Sequence, residues 1–191
     1  MIALFNGMQS SLGMVYDREM GVMRLLLTAP LPRAWLLGFK LAGSTALSLV
    51  QMLVFLVVAW VFGVDATWGW VAALPAMVLV ATMLAALGLV LSVHIRQLEN
   101  FAGTMNFVIF PMFFISTALY PLWKLHESGA LWLYQMAQAN PFTAAVELIR
   151  YALQGQLNTS AALGVGITAV VSFTLALRGY DPQRGWMRQR G

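Results

Sequence analysis

The chain has no cysteine and few charges: Asp, Glu, Lys and Arg make up 9% of its 191 residues. A soluble domain carries roughly 25% charged residues. The first absence excludes a disulfide framework, a thiol nucleophile and a thiolate metal site. The second, beside a hydrophobic share of 60%, excludes an ordinary water-soluble globule, a disordered tail and a nucleic-acid-binding arm. The net charge of +4 looks like a nucleic-acid signature. The basic residues, however, are scattered between long uncharged runs, as in a membrane protein with basic loops. Also missing is a glycine-rich phosphate loop ending in Gly-Lys-Ser or Gly-Lys-Thr. The chain therefore does not bind ATP in that manner, and any ATP-driven action needs a separate subunit.

Charge is absent, too, from the middle of every long apolar run, where proton relays, ion paths and intramembrane catalysis keep theirs. No two carboxylates share sequence neighbourhood and depth in a way that fits acid–base work. His94 and His126 fall at opposite membrane faces, so they cannot share a metal and read as ordinary interfacial histidines. No catalytic, cofactor-binding or metal-ligating residue is expected.

What is present is a set of apolar runs. A helix needs about 20 apolar residues to cross a hydrocarbon core of roughly 30 Å. Four runs read as transmembrane helices: 41–62, 68–93, 100–123 and the shorter 161–177. Pro75 is expected in a first turn, and Pro111, deep in its span, is expected to kink it. Residues 1–16 are uncharged but too short and too polar to span alone, and no basic region precedes them as in a signal peptide. They read as the inner half of a helix whose outer half is missing, with the start of the chain expected upstream. The fold class is thus an all-α polytopic bundle of four full spans plus a partial N-terminal helix, forming one membrane domain over residues 1–191.

Lys and Arg set the orientation. Arg18, Arg24, Arg33, Lys40, Arg96, Arg178, Arg184, Arg188 and Arg190 fall on one side of the alternating spans, and Lys124 and Arg150 on the other. Nine against two places residues 16–40, 94–99 and the C-terminal tail, 178–191, in the cytoplasm. Trp60, Trp68, Trp70, Tyr120, Trp123 and Trp132 fall at the outer boundary, and Tyr16, Trp35 and Tyr180 at the inner one, where amphipathic rings prefer the headgroup zone.

Two segments between spans carry pattern. In 17–40, Met20, Met23 and Leu27 form one stripe, with Asp17, Gly21 and Arg24 on the far side. Asp17 and Glu19 are expected in the first turn of a short helix, ahead of Arg24, which suits the macrodipole. Pro30 and Pro32 stop that helix. The segment is either an interfacial linker on the lipid surface or a docking element for a cytoplasmic partner. In the long outer segment 124–158, a first helical pattern covers about 127–138. A second has Asn140 as N-cap, Pro141 at the first helical position and Gly155 just past its end. Phe142, Val146, Ile149 and Leu153 make its apolar stripe, and Thr143, Glu147, Arg150 and Gln154 its polar one. It is either an interfacial cap or a lid over a translocation path. Small residues, Ala81 and Ala85 in the second span and Ala162 and Gly166 in the last, either permit close helix packing or fill lipid-facing positions. The phenylalanines 101, 107, 110, 113 and 114 fit an apolar cargo along a seam, a core, or a lipid face.

Three of these stretches resemble a known family, the type-2 permeases of ABC exporters. The run YDREMGVMRLLLTAPLPRAWLLGFKLAG looks like that family's E-R-E-x-G … L-L-x-T-P … G-K signature, with Asp17 for the first Glu and Ala29 inserted before Pro30. NFVIFPMFFISTALYP, residues 106–121, is similar to its fifth helix, with Thr117 and Ala118 in place of the usual Gly region. NPFTAAVELIRYAL is similar to the helix before its last span. The resemblance implies a six-helix permease that dimerises with a second permease protomer and docks an ABC ATPase subunit. It implies no cofactor of its own, ATP and magnesium acting through that partner. It implies residence in the lipid bilayer of a bacterial inner membrane, and export of a hydrophobic, amphiphilic or glycan substrate. It assigns Asp17, Arg18, Glu19, Met20, Gly21 and Arg24 to a coupling helix that enters the ATPase. Arg96, Gln97 and Glu99 become a second cytoplasmic contact. Residues 124–155, with Asn140, Pro141, Glu147 and Arg150, become outer re-entrant or interfacial helices. A secondary transporter or channel without ATPase, and a membrane scaffold or assembly factor, stand as the alternatives.

Overall fold

The computed structural model describes residues 1–20, 32–64, 68–95, 98–120, 122–127 and 131–179, and every element among them is a helix. In chain order these are α1 (Ile2–Ser10), α2 (Leu12–Glu19), α3 (Arg33–Val61), α4 (Trp68–His94), α5 (Leu98–Phe114), α6 (Leu122–Glu127), α7 (Leu131–Ala139), α8 (Pro141–Leu153) and α9 (Thr159–Gly179).

α4 is the hub. It packs against α1, α3, α8 and α9. Its sequence explains why: it is apolar on all sides, and such a helix is stable only when enclosed. Met77, Val80, Ala81, Met83, Leu84, Ala85, Ala86 and Leu89 are all buried. α3 and α9 are the opposite case. They hold a narrow buried stripe and expose Val50, Val54, Phe55 and Val57, or Leu163, Ile167, Val170 and Val171. In a lipid-embedded protein that is the expected face, since hydrocarbon is as apolar as the side chains it touches.

Among the described residues, three helices are long and apolar enough to cross a membrane: α4, α9 and α3 from Ala34. The expected uninterrupted span over 100–123 does not form. α5 ends at Phe114, and its 17 residues cover about 25 Å at 1.5 Å per residue. The break has a local cause. Pro111 has no N–H to continue the ladder, and Ser116 then diverts the backbone. Its N–H bonds Phe113 O at 3.2 Å, its Oγ donates to the same carbonyl at 2.6 Å, and its Oγ accepts from Ala118 N at 3.2 Å. Pro75 also departs from expectation, lying inside α4 two turns beyond Trp68 instead of in the first turn. Of the pattern expected over 127–138, 131–138 lie in α7, Glu127 ends α6, and 128–130 lie outside the described residues.

α1 is the largest surprise of packing. Its polar residues do not keep it at a surface. Ala3, Leu4, Gly7 and Met8 are buried against α4 and α3, and the contact with α4 is backbone against backbone. A Cβ built on Gly88 would lie 2.3 Å from Gly7 O, and one on Gly7 would lie 2.7 Å from the Leu84 carbonyl carbon. Gly69 is as tight, its Cβ position only 1.8 Å from Leu153 O at the end of α8. These glycines set the interhelix spacing, as small residues do between membrane helices. Of the four small residues singled out in the sequence, Ala81 and Ala85 are fully buried in this core. Gly166 faces open space, with nothing within 4 Å of its Cβ position.

α1–α2, α4 and α9 run in one direction, and α3 and α5 return. One end of the bundle gathers Met14 and Val93 with Leu37, Leu89 and Ala176 in a single cluster. There α2 and α4 end, α3 begins and α9 ends; this is the basic end. The far end carries α8, laid across the starts of α1, α4 and α9.

Candidate functional site

The sequence singles out residues at both ends of the bundle, and the structure treats them differently. At the basic end, Asp17, Arg18 and Glu19 form the last turn of α2, not the first turn of a new helix. An acid there opposes the helix macrodipole. The compensation comes from outside α2: the Asp17 carboxylate pairs with the Lys40 ammonium of α3. Met20 follows as the C-cap and is 67% exposed. Gly21 and Arg24 lie outside the described residues, as do Arg96 and Gln97 of the second expected contact. Glu99 is exposed in the first turn of α5, where an acid suits the dipole.

At the far end α8 is built as its sequence foretells. Asn140 Oδ1 accepts from Phe142 N at 2.9 Å, Pro141 occupies the first helical position, and Gly155 takes a positive φ of 72° just past the end. The buried face is not the expected stripe: it is Phe142, Thr143, Ala145, Leu148 and Ala152, while Val146, Ile149 and Leu153 are half-buried and line the cavity beside α8. The polar stripe is not simply wet. It stitches α8 onto the broken end of α5. Because Ser116 N bonds Phe113 O, Met112 O has lost its helical donor, and Asn140 Nδ2 supplies one at 2.7 Å. Thr143 Oγ1 accepts from Thr117 N at 3.4 Å. Arg150 spreads its fork over two partners, Glu147 Oε1 at 3.1 Å and Thr117 O at 3.1 Å. A buried backbone carbonyl without a donor costs about 1–3 kcal/mol, more where no water reaches. Asn140 and Arg150 remove that cost at the two carbonyls they reach.

Beside α8 lies an apolar cavity of about 440 Å³, bounded by Ile2, Met52, Phe55, Met77, Val80 and Ile149 among others. All of its lining side chains are apolar.

A polar seam joins α1, α3 and α4 at mid-bundle, and sequence reading passed over it. The Asn6 amide donates to the Gln51 side chain, and Thr45 Oγ1 lies 3.4 Å from Thr82 Oγ1. Ser44 and Ser48 are buried on the same face of α3. Its signal was available: Ser44, Ser48 and Gln51 recur at i, i+4 and i+7 within an otherwise apolar run, one face of a helix.

Residues 1–153 match the family described as ABC-2 type transporter. Two curated relatives carry the name "Putative transport permease ycf38", one from Porphyra purpurea and one from Pyropia yezoensis. Each is 34% identical over 152 residues, which are 75% of this chain and 49% of the relative. The chain thus spans about half the length of the curated relatives it matches. No solved structure gives a significant match. An all-helical bundle with membrane-length apolar helices, matched over most of its length, places the chain in the ABC-2 type transporter family.

Proposed function

We propose that the chain is the membrane subunit of an ATP-driven exporter, powered by a separate ATPase that docks at the basic end. The observation that carries this reading is the position of the D-R-E-M segment, residues 17–20. It stands at the end of α2, beside the start of α3 and the ends of α4 and α9, with Met20 exposed. A partner pressing there reaches three of the long helices at once. ATP must favour one arrangement of the bundle by contacts that differ between states, and residues 17–24 supply them in this reading, with 96–99 as the lesser contact. Two protomers rock between inward- and outward-open states.

The basic end and the C-terminus face the cytoplasm across an inner (plasma) membrane, as the nine-to-two distribution of Lys and Arg supports. The substrate is a hydrophobic, amphiphilic or glycan-bearing molecule. The wholly apolar cavity beside α8 supports an apolar portion, with α8 as the outer cover.

The test is affinity purification of the tagged chain from membranes. An ATP-hydrolysing subunit that co-purifies in stoichiometric amount supports the reading. A chain that purifies without one, and supports flux or assembly without ATP, is a secondary transporter or a scaffold instead.

A further inference from the structure

The Asp17–Lys40 pair spans the segment assigned above to the ATPase, residues 18–39 lying between its two members. Neither charge is explained by its own helix. Asp17 sits at the negative end of α2, and Lys40 lies two turns inside an otherwise apolar stretch of α3, beyond the reach of its dipole. The two helices do not meet directly: no backbone approach joins α2 to α3. Each is held on α4 instead, α2 in part through Met14, whose sulfur lies 3.3 Å from Ser92 Oγ. Met14 and Leu37 are both 1% exposed and share one apolar cluster. Asp17 and Lys40 each follow one of these residues by three positions, on the same helix face. Lys40 therefore lies a turn deeper than Leu37, and its long stem runs back toward the basic end to reach the carboxylate.

We propose that Asp17 and Lys40 are positioning residues that form a strut, carrying displacement of the 18–39 segment from α2 into α3. This rests on the reading that an ATPase docks at the basic end. With the strut in place α2 and α3 move together. Without it, α2 follows the ATPase while α3 stays on α4.

The natural chain lacks cysteine, so spin labels can be placed at Phe39→Cys on α3 and Leu175→Cys on α9, both exposed near the basic end. The distance between them is measured in the assembled permease–ATPase complex, with and without MgATP and vanadate. The parent complex shows a nucleotide-dependent shift. Lys40→Asp, on α3 and outside the docking contact, reduces that shift to less than half while the ATPase remains bound and hydrolysing, and Asp17→Lys reduces it as well. The double reversal restores it, a rescue that a merely structural role in α2 or α3 alone does not give. Where a single reversal fails to assemble, Lys40→Met is read in its place with the same two outcomes. Single variants that shift like the parent overturn the strut and leave ATPase docking standing. A parent complex that binds no ATPase, or shows no nucleotide-dependent shift, overturns the docking reading and the strut with it.

Discussion

Asn140 Nδ2 donates to Met112 O at 2.7 Å while the same side chain's Oδ1 caps the start of α8 at Phe142 N, 2.9 Å away. One amide thus satisfies a helix that is beginning and a helix that has been broken. Asn140→Ala loses both bonds and strands the Met112 carbonyl, a cost of about 1–3 kcal/mol. Asn140→Asp keeps the cap but not the donor, and is expected to fall between the parent and Ala. Thermal unfolding midpoints in detergent or nanodiscs give this order. An Asp variant as unstable as the Ala variant would show that the bridge to Met112, not the cap, holds the far end.

Arg150 takes two acceptors with one planar fork, Glu147 Oε1 and Thr117 O. Lysine offers a single ammonium and cannot span both in the same geometry. Arg150→Ala is expected to cost about 1–2 kcal/mol and Arg150→Lys about half of that, since the side chain is partly exposed and its ion pair is screened. Cysteine accessibility at Leu119, exposed in the turn after α5, should rise in both variants. Unchanged labelling in Arg150→Ala would show that the turn holds without α8.

Glycine spacing gives a prediction of opposite signs. Gly88→Ala drives a methyl to within 2.3 Å of Gly7 O, a backbone atom that cannot rotate away. Overpacking of this kind costs about 1–3 kcal/mol. Gly43 and Gly166 meet nothing within 4 Å of their Cβ positions, and alanine there gains about 0.5–1 kcal/mol of helix preference. Unfolding midpoints should therefore drop for Gly88→Ala and hold or rise for Gly43→Ala and Gly166→Ala. A Gly88→Ala variant as stable as the parent would remove the close α1–α4 contact.

The phenylalanines of α5 divide by exposure. Phe101 is fully buried, whereas Phe107 is 78% exposed. In hydrocarbon the transfer gain of an apolar side chain disappears and the packing loss remains. Phe101→Ala then costs about 2 kcal/mol, the cavity term alone, and Phe107→Ala close to nothing. Equal losses at the two positions would place Phe107 in a contact outside this single chain, as at a protomer seam.

These cases show where the sequence was legible. The apolar runs of α4 and α9, and the Asn140, Pro141 and Gly155 punctuation of α8, could be read because each signal is local. The end of α5 could not. Hydropathy runs on unbroken from Phe101 to Tyr120, and the break depends on how one hydroxyl, that of Ser116, competes for a backbone carbonyl. The burial of α1 was hidden because its decisive residue, Gly7, has no side chain to carry a pattern, and its fit depends on Gly88 more than eighty positions away. Asp17 was readable as a charge in a motif but not as half of a pair, since its partner on α3 is twenty-three positions along. The polar stripe of α8 was drawn correctly as a stripe, while the atoms it serves lie on another helix.

The central claim is that a separate ATPase drives this permease from its basic end. Met20, exposed at the end of α2, is the place to test it. Met20→Cys carrying a photo-crosslinker is the sole thiol in the chain, and it is activated in inside-out membrane vesicles with and without MgATP. The account predicts a crosslink to an ATP-hydrolysing subunit whose yield changes with nucleotide. A residue 20 that reacts with membrane-impermeant maleimide only from the outside of intact cells, or that crosslinks to no such subunit, would contradict it.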